Sequence, residues 1–81
     1  AAAVSNVQVK SKTGTLHFNN IKSVQHKDGH KMVVSRSGEL VVNDEHGRER
    51  ERYKIPYGAS LTVEDGATVS GNQEVASWDP H

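Results

Sequence analysis

The sequence predicts a small all-β fold, and three observations carry that prediction. Valine supplies eleven of the 27 apolar residues, and a β-branched side chain suits the pleated surface of a strand. Turn-forming residues recur about every eight to twelve positions, the spacing of short strands in a sandwich or barrel. No apolar stripe repeats at the helical period of about 3.6 residues. At 81 residues the chain has room for one domain.

Val4, Val7 and Val9 alternate with polar residues in a first strand, which Lys12-Thr13-Gly14 turns. Leu16 and Phe18 mark a second strand, broken at Asn19-Asn20, where short amides bond the nearby backbone. Ile21 to Gln25 and Lys31 to Ser35 flank Asp28-Gly29, the strongest hairpin signal in the chain. Met32-Val33-Val34 and Leu40-Val41-Val42 are apolar on both faces and predict central strands. Between them Arg36-Ser37-Gly38 turns the chain, and Asp44 to Gly47 turns it again. Arg48 to Lys54 alternates in charge, with Arg48, Arg50 and Arg52 on one face and Glu49, Glu51 and Tyr53 on the other. Pro56 ends that strand because it lacks a ladder N–H. Leu61 with Val63, Ala67 with Val69, and Val75 to Trp78 complete the series, with Gly66 and Gly71 as tight turns between them.

Composition narrows the function. Ten basic and ten acidic residues give zero formal charge, which argues against a dedicated nucleic-acid binder. No apolar run approaches the roughly 18 residues of a membrane span. Ala1-Ala2-Ala3 lacks the charged and apolar regions of a signal peptide. Cysteine is absent, so there is no disulfide, thiolate metal site or cysteine nucleophile. That fits a cytoplasmic setting.

Candidate chemistry is sparse. His26 and His30 are four apart, but a two-residue turn at Asp28-Gly29 would set His26 opposite Lys31 and aim the imidazoles at opposite faces. A metal site is therefore not expected there. His17, His46 and His81 are isolated and read as surface residues. Arg48, Arg50 and Arg52 are the candidate contacts with DNA or protein: a basic stripe could follow a phosphate backbone. The competing reading is a solvated edge strand whose charges deter edge-to-edge pairing. There is no G-x-S-x-G elbow, and Gly66-x4-Gly71 is not followed by Lys-Ser/Thr, so it is not a phosphate loop. No catalytic residue is expected. Val63, Gly66, Val69 and Gly71 with Val75-Ala76 also resemble half of a biotinyl or lipoyl carrier domain. In that alternative Lys31 of Lys31-Met32 would be modified, although it lies past the hairpin tip.

A more extensive resemblance covers the whole chain. Val7-Gln8-Val9-Lys10, Ile21-Lys22-Ser23-Val24, Val33-Val34-Ser35-Arg36 and Asp44-Glu45-x-Gly47-Arg48 resemble successive blocks of one segment. It is the trigger-loop insertion of the proteobacterial RNA polymerase β′ subunit. Tyr53-Lys54-Ile55-Pro56-Tyr57-Gly58-Ala59 and Trp78-Asp79-Pro80-His81 are the most specific blocks.

The resemblance implies the first of two sandwich-barrel hybrid domains. Residues 1–3 would be a frayed remnant of the trigger-loop flank and residues 4–81 a single β-rich insertion domain. It implies a non-catalytic accessory module of a bacterial, cytoplasmic nucleotidyltransferase, modulating elongation, pausing and transcript cleavage. The implied partners are the other polymerase subunits, with no membrane, and the isolated domain would be a monomer; Arg48, Arg50 and Arg52 add downstream DNA as a candidate partner. No cofactor is implied in this segment, because the parent's magnesium and zinc sites lie outside it.

Overall fold

The structure, a computed structural model, describes residues 5–79. The flank expected over residues 1–3 lies outside them, as do Val4, Pro80 and His81. Among the described residues there are nine strands and no helix, so the all-β prediction holds.

The strands are β1 (Ser5–Gln8), β2 (Thr13–Asn19), β3 (Ser23–Gln25), β4 (Lys31–Val33), β5 (Gly38–Asn43), β6 (Glu49–Ile55), β7 (Ser60–Leu61), β8 (Thr68–Ser70) and β9 (Glu74–Trp78). They form a five-stranded sheet, β1-β9-β7-β4-β3, and a four-stranded sheet, β6-β5-β2-β8. Every strand pair is antiparallel. Apart from the β3–β4 and β5–β6 hairpins, every connection crosses from one sheet to the other. Neither sheet is contiguous in sequence, so each can be completed only with the other. One core results: Val7, Val9, Val33, Leu61, Val75 and Ala76 meet Leu16, Leu40, Val42, Ile55 and Val69.

Several local expectations are corrected by this arrangement. Thr13 and Gly14 do not turn the chain. They begin β2, and β1 and β2 lie in different sheets. Gly14 is required there by close approach: a Cβ would lie 2.6 Å from Val42 Cγ1 and 2.9 Å from the Asn43 carbonyl oxygen. Of the two strands read as buried on both faces, only β5 is so. Leu40, Val41 and Val42 are all buried, with Leu40 and Val42 in the core and Val41 flanked in register by His17 and Arg52. In β4 only Val33 is buried; Met32 and, just past the strand, Val34 are half-exposed.

Two bulges account for further departures. Between β1 and β9, Val7 faces Ala76 while Gln8 faces Glu74, leaving Val75 as the extra residue. A bulge lets neighbouring side chains share a face, and Val75 and Ala76 are both buried. Between β5 and β6, Val42 faces Glu51 while Asn43 faces Glu49, so Arg50 is extra. The strict charge alternation expected from Arg48 to Tyr53 stops at that residue.

Both hairpins have three-residue loops. His26 donates to the His30 carbonyl at 2.8 Å, and Gly29 donates back to His26 at 3.0 Å. Asp44, Gly47 and Arg48 repeat this pattern, at 2.8 and 3.0 Å. A two-residue type I′ turn needs positive φ at both centres. Here Gly29 and Gly47 have it, at 94° and 79°, whereas Asp28 and His46 do not. The turn between β8 and β9 holds one more correction: its positive φ, 66°, falls on Asn72 and not on Gly71.

Replacing Gly14 by alanine should force Val42 or the β5 backbone to move. We expect Gly14→Ala to cost about 1–3 kcal/mol, read as a lower denaturation midpoint with an unchanged m-value. Gly71→Ala, whose Cβ would come no nearer than 3.4 Å to the Ser11 oxygen, should be nearly neutral.

Candidate functional site

The polar features gather around β6, an edge strand of the four-stranded sheet. Its inward and outward residues do different things. On the inner side Glu51 and Tyr53 are half-buried above Ile55, which is fully buried. Glu51 reaches across to the segment that leaves the other sheet. It accepts hydrogen bonds from the Lys10 amide at 2.9 Å and the Ser11 amide at 3.0 Å. The Ser11 and Tyr53 hydroxyls donate to the same carboxylate. Burial raises the Glu51 pKa, but the Ser11 and Tyr53 hydroxyls and the two amides outweigh it and bring the group down to about 2. Burial and the bond to Glu51 push the Tyr53 phenol up to about 12.

The candidate arginines have separate surroundings. Arg52 is held between two carboxylates, with Nη1 2.6 Å from Glu39 Oε1 and Nη2 against Glu49. Its hydrogen bonds to Glu49 and Glu39 raise its pKa further. Arg50, the bulge residue, lies 4.0 Å from Asp44 Oδ2. Arg48 is exposed, and its backbone amide donates to Asp44 Oδ1 at 2.9 Å. Asp44 also accepts from the His46 amide at 2.9 Å. The Arg48 amide above all, opposed by a smaller burial effect, lowers the Asp44 pKa. Arg50 and Arg52 thus share β6, Arg48 lies just before it, and the three do not form one continuous basic face.

The histidine pair departs from expectation. With three residues in the loop, His26 faces His30 across the ribbon, and their rings stack with centroids 4.6 Å apart and planes 8° from parallel. Nitrogen lone pairs lie in the ring plane, so stacked rings aim them side by side and not at one ion. His30 Nδ1 is instead engaged by Asp28. Lys31, the residue of the carrier alternative, lies within β4 with Nζ 2.7 Å from Glu64 Oε1. A strand lysine with a carboxylate partner lacks the tip position that a modified lysine would need.

Sequence patterning missed Glu51 as the link between sheets. The only available signal was a glutamate on the same face as Tyr53 and Ile55, since an inward carboxylate must find donors. It also missed Asp65, whose Oδ1 accepts from the Phe18 amide at 3.0 Å. A third unforeseen feature is a groove of about 490 Å³ between Lys54, Ile55, Pro56 and Trp78.

Because its folded-state pKa is depressed, Glu51 stabilises the fold fully above its ordinary value of 4.5, and this contribution is lost as pH falls through about 2. Glu51→Gln should cost about 1–3 kcal/mol near neutral pH. It should also flatten the fall in melting temperature across that acid window, as followed by circular dichroism.

No protein-family model matches the chain. Over all 81 residues it is 62% identical to the "DNA-directed RNA polymerase subunit beta'" of Xanthomonas euvesicatoria pv. vesicatoria (strain 85-10). The same identity over the same span holds for that subunit in Xanthomonas axonopodis pv. citri (strain 306) and Xanthomonas campestris pv. campestris (strain B100). The chain spans 6% of the length of each of these relatives.

Proposed function

We infer that this chain, homologous over its 81 residues to a segment of RNA polymerase subunit beta', is a non-catalytic accessory module of a bacterial DNA-directed RNA polymerase. The observation that carries the reading is the 62% identity over the whole chain. The parent enzyme would be a cytoplasmic nucleotidyltransferase, with the other subunits as this module's partners. Magnesium and zinc would be held elsewhere in the subunit.

We place the module in the trigger loop, as a domain modulating elongation, pausing and transcript cleavage. One structural feature supports insertion into a loop. Ser5 and Trp78 are register partners of the β1–β9 pair, so the outer ends of the first and last described strands lie side by side. Insertion within another chain is best tolerated where the two ends lie close together. A loop that closes over an active site must carry such a module with it. Any difference in the module's contacts between open and closed positions then biases the loop's equilibrium.

Deleting the segment from intact subunit beta' should leave RNA synthesis while changing pause lifetimes or the rate of nucleotide addition, measured on a defined template. Wild-type pausing and addition rates would refute the regulatory role, and complete loss of synthesis would refute the accessory one.

Contact of the β6 edge with downstream duplex DNA is the second reading. Arg48 favours it, being exposed and without an ion pair among the described residues. Binding of the chain to duplex DNA should then weaken steeply with salt, and Arg48→Ala should lower the salt slope by about one. Absence of binding at low salt would rule out an independent DNA site.

A further inference from the structure

We propose that the groove beside Trp78 is a docking site for an acidic, aromatic-bearing segment of another protein, held in extended form. The groove lies where the sheets meet: Gly38 and Ile55 pair across β5 and β6, and Trp78 ends β9 of the other sheet. Its volume of about 490 Å³ falls within the usual range for pockets that enclose a small ligand. Trp78 and Pro56 supply apolar walls over buried Ile55. Aromatic and proline surfaces of this kind favour extended peptides, since they reward apolar side chains without requiring a helix.

Charge selects the occupant. Arg36 and Lys54 flank the groove, are exposed, and form no ion pair among the described residues. Lys54 has Glu39 as its register partner, but the Glu39 carboxylate is occupied by Arg52 at 2.6 Å and the Asn19 amide at 3.0 Å. The two cations are thus left to a ligand while the adjacent carboxylate is already neutralised. A nucleic acid would also offer anions and could stack on Trp78. A phosphate chain is held by a run of cations, whereas the groove offers two and the domain has zero formal net charge. A peptide with one aromatic or leucine side chain between carboxylates matches the apolar wall and both cations.

This inference rests on the groove alone and holds whether or not the module regulates elongation, so its test uses the 81-residue chain itself. Random displayed peptides are selected against the chain, and the enriched sequences are synthesised. Trp78 is the only tryptophan, so its emission reports occupancy directly. The expected result is enrichment of peptides with an aromatic or leucine between Asp or Glu residues, and a saturable shift of Trp78 emission on titration. The double variant Arg36→Glu, Lys54→Glu should weaken that binding by about tenfold or more. Its melting temperature should stay close to wild type, because both side chains are exposed. Enrichment of basic or uncharged peptides, or binding that survives the double reversal, would overturn the proposal. So would a selection without groove binders in which a single-stranded oligonucleotide shifts Trp78 emission, which would assign the groove to nucleic acid.

Discussion

The rest of the structure depends on how two interleaved sheets are held in one alignment. Apolar burial supplies most of the driving force, but it is non-directional and would tolerate sliding of one face over the other. Directional contacts must fix the alignment, and Glu51 provides the densest set. One carboxylate on the edge of the four-stranded sheet gathers two amides and a hydroxyl from the Lys10–Ser11 crossing, with the Tyr53 hydroxyl beside them. The same crossing is tied on its other side, where Asn72 donates to Val9 at 2.7 Å and Val9 donates to Gln73 at 2.9 Å. The first passage between sheets is therefore pinned from both directions. Hydrogen bonds to an ionised acceptor are about twice as strong as neutral ones, which is why a charge is retained at a half-buried position.

Much of this architecture was legible in the sequence, for identifiable reasons. Alternation of apolar residues placed the inward side chains of β2, because a strand's period is fixed by the pleat, and the unbroken apolar run Leu40-Val41-Val42 marked β5 as buried on both faces. Gly47 and Gly29 marked both hairpins. The sequence left undetermined whatever depends on a partner strand. Whether Asp28-Gly29 closes a two- or three-residue loop is settled by the φ of Asp28, and that in turn decided whether the imidazoles oppose or stack. Neither bulge left a mark in composition, yet Arg50 as an extra residue is what puts Arg52 and Glu49 in contact. The groove was illegible for the same reason, since it joins Arg36, Lys54 and Trp78 from three parts of the chain.

The charged run on β6 has two structural consequences. It blunts a free strand edge, where exposed N–H and C=O groups would otherwise recruit another chain. It also sorts the cations: Arg52 is consumed internally by Glu39 and Glu49, whereas Lys54 and Arg36 remain available. Exposed ion pairs of this kind contribute little to stability. Their effect lies in deciding which charges a partner meets.

The adjacency of Ser5 and Trp78 also has a mechanical meaning. Two neighbouring strands whose outer ends lie side by side follow a common displacement as a rigid body, since nothing between them is strained. Forces that separate those ends act differently: they load the β1–β9 hydrogen bonds one at a time, as a zipper opens. A host that shifts both attachment points together would therefore tow the whole domain without loss of structure. A host that spreads them would peel β1 away first, exposing Val7 and the floor of the core. Moving those two ends together and pulling them apart therefore meet different resistance in the same strand pair.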